Sequence, residues 1–205
     1  MIKNIIFDLG NVIIGFNQTQ IIDEFAQNND EKTFIKKQIL DSEEWKLLDL
    51  GKIVNDEAIA RVQNRNNYSF AELTKKFWHE WYKFLPINQD TIKIAKTLKD
   101  NGYKVFVLSN MAIETYEYFK DIEFFSICDG IIISGYEKIK KPDTRIFDLI
   151  LNRYNLNAEE CLFIDDDDTN RSYETANKIG INGRRVIPNS FEDIKKLLEE
   201  YKIEI

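Results

Sequence analysis

The chain has 205 residues, with 28 Lys and Arg against 35 Asp and Glu for a net charge of −7, and it is 43% hydrophobic and 13% aromatic. That apolar content is enough for a sizeable core and excludes a disordered chain, while the acidic balance argues against a phosphate-backbone grip on nucleic acid and against anionic membranes. The length fits one core with an insertion, and the two cysteines, Cys128 and Cys161, share no short spacing, so neither a zinc site nor a disulfide framework is expected.

In chain order, residues 2–7 are a short β-branched run stopping at Asp8, the pattern of a buried strand in a parallel sheet. The run is too short for a signal peptide or a bilayer span, so a cytoplasmic protein with no membrane partner is expected. Residues 16–85 hold no convincing strand. Helical periods over 33–40, 43–50, 56–63 and 71–84 are punctuated by Gly51 and the polar run 64–67. This stretch is expected to be a helical cap domain inserted after the first strand, with 1–15 and 86–205 forming the core domain. No repeat or Gly/Ser linker makes it an independent unit on a tether.

Beyond residue 86, strand and helix alternate. Apolar runs at 104–108, 130–134, 161–164 and 185–187 read as strands, with helical periods over 91–99, 113–119, 145–154, 171–179 and 191–201. Asn157 and Ser190 stand three residues before Glu160 and Asp193, close to capping-box spacing, and Gly102 and Gly180 follow helix ends. The alternation predicts an α/β fold, a doubly wound parallel sheet whose ligands bind beyond the carboxyl ends of the strands.

Those strand ends are all polar: Asp8-Leu9-Gly10-Asn11, then Ser109-Asn110, then Lys140-Lys141-Pro142-Asp143, then Asp165 to Asp168. Taken singly, Asp8 could start a turn, Ser109 and Asn110 could cap a helix, and Lys141 could be a solvated charge. Asp165 and Asp166 directly follow Leu162, Phe163 and Ile164, where adjacent like charges are costly unless a cation sits nearby. A carboxylate, a hydroxyl, an ammonium and an acidic pair meeting in one crevice suit a phosphoryl group with a hard divalent cation.

The order Asp8, Ser109, Lys141, Asp165 and Asp166 resembles the four motifs of the haloacid dehalogenase-like superfamily, and the helical insertion resembles its first cap type. FDLGNVI, KKPDTRIF, FIDD followed by Asn170, and the cap string from Trp45 to Glu57 are similar to the branch that includes α-glucose-1-phosphate phosphatases. The resemblance implies a Rossmann-like core and a Mg²⁺-dependent phosphatase of a small phosphorylated metabolite such as a sugar phosphate. By it Asp8 is the nucleophile that becomes an aspartyl phosphate and also a metal ligand. Ser109 and Asn110 bind substrate, and Lys141 balances the charge of Asp8 and the phosphoryl group. Asp166 binds Mg²⁺ directly with Asp165 beside it, the Gly10 carbonyl supplies a further oxygen, and Asn170 orients this shell.

One departure stands out. Most phosphatases of that superfamily carry a second Asp two residues after the nucleophile as general acid/base, whereas this chain has Gly10, so the acid/base is unnamed. A carbon–halogen hydrolase, which also lacks that Asp, and a non-catalytic phosphoester-binding protein are the competing readings. The acidic pair counts against the first, and the retention of Asp8 and Lys141 against the second. His79 and the tryptophans Trp45, Trp78 and Trp81 read as cap packing, and Lys140 as solvated. A monomer or weak homodimer is expected.

Overall fold

All four residues of the first strand are buried, and the sheet topology explains why. In the computed structural model, which describes residues 1–167 and 169–205, β1 (Asn4–Phe7) pairs in parallel with β2 (Lys104–Ser109) on one side and β4 (Cys161–Asp165) on the other. β3 (Gly130–Ile133) and β5 (Asn182–Arg185) complete a five-stranded parallel sheet in the order β3-β2-β1-β4-β5. This is the doubly wound α/β arrangement that the alternation predicts.

Between β1 and β2 the chain is helical, as the sequence indicates. It forms α1 (Gln18–Phe25), α2 (Asn29–Phe34) running on into a π-helical turn (Ile35–Leu40), α3 (Glu43–Asp49), α4 (Asn55–Arg65) and α5 (Ala71–Glu80), which ends in a 3₁₀ turn (Trp81–Phe84). The helix α1 is an addition to the expected set. Its start is set by Asn17, whose side chain accepts from the Gln20 N–H, and Ile21, Ile22 and Phe25 turn one face inward.

Core helices follow: α6 (Gln89–Asp100), α7 (Ile113–Phe119), α8 (Glu123–Ile127), α9 (Ser134–Glu137), α10 (Thr144–Arg153), α11 (Ser172–Lys178) and α12 (Phe191–Glu200). Strand alternation sorts the side chains. Ile5, Phe7, Val105, Val107, Leu162 and Ile164 point to one face and pack with Ile92, Leu98, Ile194 and Leu198, while Ile6, Phe106, Leu108 and Phe163 point to the other and pack with Ile146, Phe147 and Ile150. The first of these clusters continues without a break into Ile35, Ile39, Leu48 and Trp78 of the helical insertion, so insertion and sheet share one apolar core.

Two expectations need correction. The last strand runs over Asn182–Arg185 and not 185–187, because the edge of the sheet is made from the polar NGRR stretch, and Ile187 is exposed. Asn157 caps only a 3₁₀ turn (Ala158–Glu160), whereas Ser190 accepts from the Asp193 N–H and caps α12 as expected. Among the described residues no helix is long and apolar enough to cross a membrane.

Candidate active site

Parallel strands aligned in register deliver their carboxyl ends to one edge, and that edge gathers the residues singled out above. Asp8 follows β1, Ser109 ends β2 and Asp165 ends β4, while Lys141 comes from the segment between α9 and α10. Lys141 Nζ lies 2.9 Å from Asp8 Oδ1 and 2.7 Å from Asp165 Oδ2, in a pocket where all three side chains are almost wholly buried. The same ammonium sits 5.2 Å above the Phe163 ring. Asp8, Asp165 and Asp166 each offer a carboxylate oxygen within 4.8 Å of the others.

Three carboxylates around one ammonium leave an excess of negative charge in a place that water barely reaches. Burial pushes the Asp8 carboxyl up, Lys141 pulls it down, Asp165 raises it again, and the Ser109 hydroxyl lowers it, with a net rise. Burial works against the Lys141 ammonium, but Asp165 and Asp8 more than offset this and hold it firmly protonated. Asp166 is pushed up to about 7 by burial and then by the Asp8 charge. Asp8 Oδ1 is buried with no hydrogen bond of good geometry despite its nearby ammonium. A hard cation with oxygen ligands fits this donor set, since it would neutralise the excess charge and engage that oxygen.

Within the cluster the roles divide. Asp165 is engaged at both oxygens, by Lys141 at Oδ2 and by the Asp167 N–H at Oδ1 (2.8 Å), so it positions the lysine. Among the described residues Asp166 accepts one side-chain bond, from Asn11 Nδ2 at 3.0 Å, and it lines the cavity described below. Asn11 escapes a motif reading yet organises the first loop: at φ +50° its side-chain oxygen accepts from the Phe16 N–H and from Asn189 Nδ2. Its neighbours Gly and Val in an otherwise apolar string are the signal that a turn, and hence an αL asparagine, stands there.

Three of the expected site residues have partners within the protein. Asn110 Nδ2 donates to the Lys141 carbonyl at 3.0 Å and its Oδ1 accepts from the Lys141 N–H at 2.8 Å, so the side chain holds the lysine's backbone. Asn170 donates to Asp167 Oδ2 at 2.7 Å and so orients that residue, not Asp166. Ser109 is 1% exposed and its hydroxyl acts on Asp8. Asp168 lies outside the described residues.

These groups form one end of a cavity of about 650 Å³. Asp8, Gly10, Asn110, Lys141 and Asp166 line it from the sheet, and Trp45, Leu48, Asp49, Trp78 and Trp81 line it from the insertion. The tryptophans therefore pack together, with Trp45 and Trp81 centroids 4.7 Å apart, and also wall the cavity, which helical periodicity alone did not reveal. Lys140 also reaches the wall and is half-buried. At Gly10 an added Cβ would meet only Asp8 Oδ2, at 3.9 Å, so the missing side chain is not imposed by crowding. His79 is outside this wall, half-buried and 3.8 Å from Asp56.

The end of α3 is fixed against the core. Gly51 at φ +57° donates to the Leu48 carbonyl and Lys52 to the Leu47 carbonyl, a Schellman ending. A Cβ on Gly51 would stand 1.8 Å from the Gly135 carbonyl oxygen. Ser134 Oγ donates to the Asp49 carbonyl at 2.5 Å and accepts from the Met111 N–H at 3.0 Å, which ties the insertion to the loop after β2.

The profile of the haloacid dehalogenase-like hydrolases matches residues 2–171. A sesquiterpene phosphatase from Aspergillus oryzae is 26% identical over 165 residues, 80% of each chain. A glyceraldehyde 3-phosphate phosphatase from Pyrococcus abyssi is 22% identical over 179 residues, spanning 81% of this chain and 74% of the relative. A HAD-family enzyme of Bacteroides thetaiotaomicron, solved with magnesium and inorganic phosphate, superposes with a TM-score of 0.76 at 20% identity, covering 93% of this chain and 96% of that one.

Proposed function

This chain belongs to the haloacid dehalogenase-like hydrolases, and we propose that within that family it is a Mg²⁺-dependent phosphatase of a small phosphorylated metabolite. The observation that carries the reading is the cluster of Asp8, Lys141, Asp165 and Asp166 at a cavity walled by both the sheet and the insertion. Asp8, Asp166 and the Gly10 carbonyl would hold Mg²⁺, with Asp165 beside them; the ion supplies charge neutralisation and orients the phosphoryl oxygens.

In this mechanism an Asp8 oxygen bonds to phosphorus as the alcohol leaves, and water then cleaves the aspartyl phosphate. Lys141 cancels enough charge for a carboxylate to approach a phosphate dianion, and Asp165 keeps that ammonium in place. Ser109 turns its hydroxyl from Asp8 to a phosphoryl oxygen. Backbone N–H groups after β2 assist it.

The cap, residues 16–85, supplies the wall for the organic part of the substrate. A sugar ring can stack on Trp45, Trp78 or Trp81, and so can an apolar chain. The named substrates of the two phosphatase relatives, one terpenoid and one triose phosphate, support a small organic monoester without choosing between these. A carbon–halogen hydrolase needs no cation, and Asp166 would only repel its anionic substrate.

The test is phosphate release from a panel of phosphorylated sugars, trioses and isoprenoids with Mg²⁺, repeated with chelator. Chelator-sensitive release that Asp8→Asn abolishes supports the reading. Release indifferent to both overturns it.

A further inference from the structure

Building on the phosphatase reading, one proton has no carrier: the leaving oxygen must be protonated, and Gly10 offers no side chain to do it. In-line displacement sets the leaving oxygen on the far side of phosphorus from Asp8. That direction runs away from the sheet and into the cavity, towards the helical insertion. Of the described carboxyl groups on the cavity wall, Asp8, Asp166 and Asp167 belong to the strand ends, and Asp49 is the one from the insertion.

We propose that Asp49 is the general acid/base of this enzyme, delivered to the leaving group by the cap in place of the side chain absent at Gly10. Its carboxyl makes no hydrogen bond among the described residues, while its backbone is clamped by the Ser134 hydroxyl and by the close approach of Gly51 to Gly135. A free acid on a fixed backbone is what proton delivery requires. Burial pushes the Asp49 carboxyl up to about 7, against the pull of Lys140, the charged group that acts on it. It can thus hold a proton near neutrality and give it up.

The proton balance closes over both steps. As the Asp8–phosphorus bond forms and the phosphorus–oxygen bond to the leaving group breaks, the Asp49 proton passes to that oxygen and an alcohol departs. Water then attacks phosphorus and gives a proton to the Asp49 carboxylate, the bond to Asp8 breaks, and inorganic phosphate leaves with the acid restored.

The experiment is a series of phosphomonoesters of rising leaving-group pKa, from p-nitrophenyl phosphate to alkyl phosphates, hydrolysed with Mg²⁺ by wild type, Asp49→Asn and Asp8→Asn. Asp49→Asn keeps the side chain's shape and should fold, as circular dichroism would verify. We expect it to lose about 10² to 10⁴ in kcat/KM on alkyl phosphates and less than about tenfold on the aryl ester, so its dependence on leaving-group pKa steepens. On alkyl phosphates wild type should fall as pH rises past about 7, and the variant should lack that limb. Equal losses across the series, or a wild-type slope in the variant, would overturn the role of Asp49 while leaving the phosphatase reading intact if Asp8→Asn is dead. No Mg²⁺-dependent release from any ester by wild type would sink both.

Discussion

Replacing Gly51 by Ala tests whether the docking of α3 on the core matters for both stability and chemistry. The new Cβ would meet the Gly135 carbonyl oxygen at 1.8 Å, and since both are backbone-fixed, the chains must separate by about 1.2 Å to reach even the tightest real contact near 3.0 Å. An L-residue held at φ +57° costs roughly 1–2 kcal/mol. Separation also strains or breaks the Ser134–Asp49 hydrogen bond, worth about 1 kcal/mol net. The sum is about 2–3 kcal/mol, within the 5–15 kcal/mol typical of a domain, so the variant should remain folded at 25 °C. A displacement near 1 Å at a reacting group costs about 10² in rate. Gly102→Ala is the control, because at φ +87° it also places an L-residue at positive φ, with nothing within 4 Å of the added Cβ. Urea denaturation and kcat/KM on one phosphoester should show both variants destabilised, Gly51→Ala more so, and only Gly51→Ala catalytically impaired. A Gly51→Ala enzyme matching Gly102→Ala in both measurements would refute the reasoning.

Asp8→Asn should abolish turnover while leaving the circular dichroism spectrum unchanged, and activity above a few per cent of wild type would remove Asp8 as the nucleophile. Mg²⁺ should raise the Tm of wild type; Asp166→Asn should abolish that shift, whereas Asp167→Asn, whose oxygen can still accept from Thr169, should keep it. Gly10→Asp should fold, since its Cβ makes only an ordinary contact with Asp8 Oδ2 at 3.9 Å, yet lose activity on the best natural substrate because a further carboxylate repels an anion; a tenfold gain would contradict this. The Asp49 pKa is higher in the folded state than its ordinary 3.8, so the fold binds that proton more tightly and loses stability as pH climbs from about 4 to about 7. Asp49→Asn should therefore be more stable than wild type at pH 8, by between about 1 and 4 kcal/mol, and equal to it at pH 4, as thermal melts would show.

What a sequence can show of such a site depends on whether the residue's place follows from local pattern. Asp8 and Asp165 stand at the ends of apolar runs, and in a parallel sheet every such end reaches the same edge, so their convergence was legible from order alone. The β5 edge was not, because its NGRR stretch carries no apolar side chain and its two arginines are exposed, so the hydrophobic pattern is silent there. Asp49 reads as an ordinary acid at the end of an amphipathic helix. What distinguishes it is the contact between Gly51 and Gly135, which are far apart in sequence, and no local periodicity encodes that pairing. The tryptophans fail in the same way: their spacing places them on helix faces without saying that those faces border a cavity.

The position of β1 carries a consequence for how the chain is made. Asn4 pairs with Lys104 and with Cys161, so the central strand is synthesised first while both of its partners emerge much later. Helical residues 18–84 leave the ribosome in between and can form on local contacts alone, whereas Ile5, Ile6 and Phe7 wait for residues 104–107 to pair one edge and for residues 161–164 to pair the other. The strand that positions the nucleophile is thus the longest-waiting aggregation-prone segment of the nascent protein. Its shortness, four residues flanked by Lys3 and Asp8, limits that hazard.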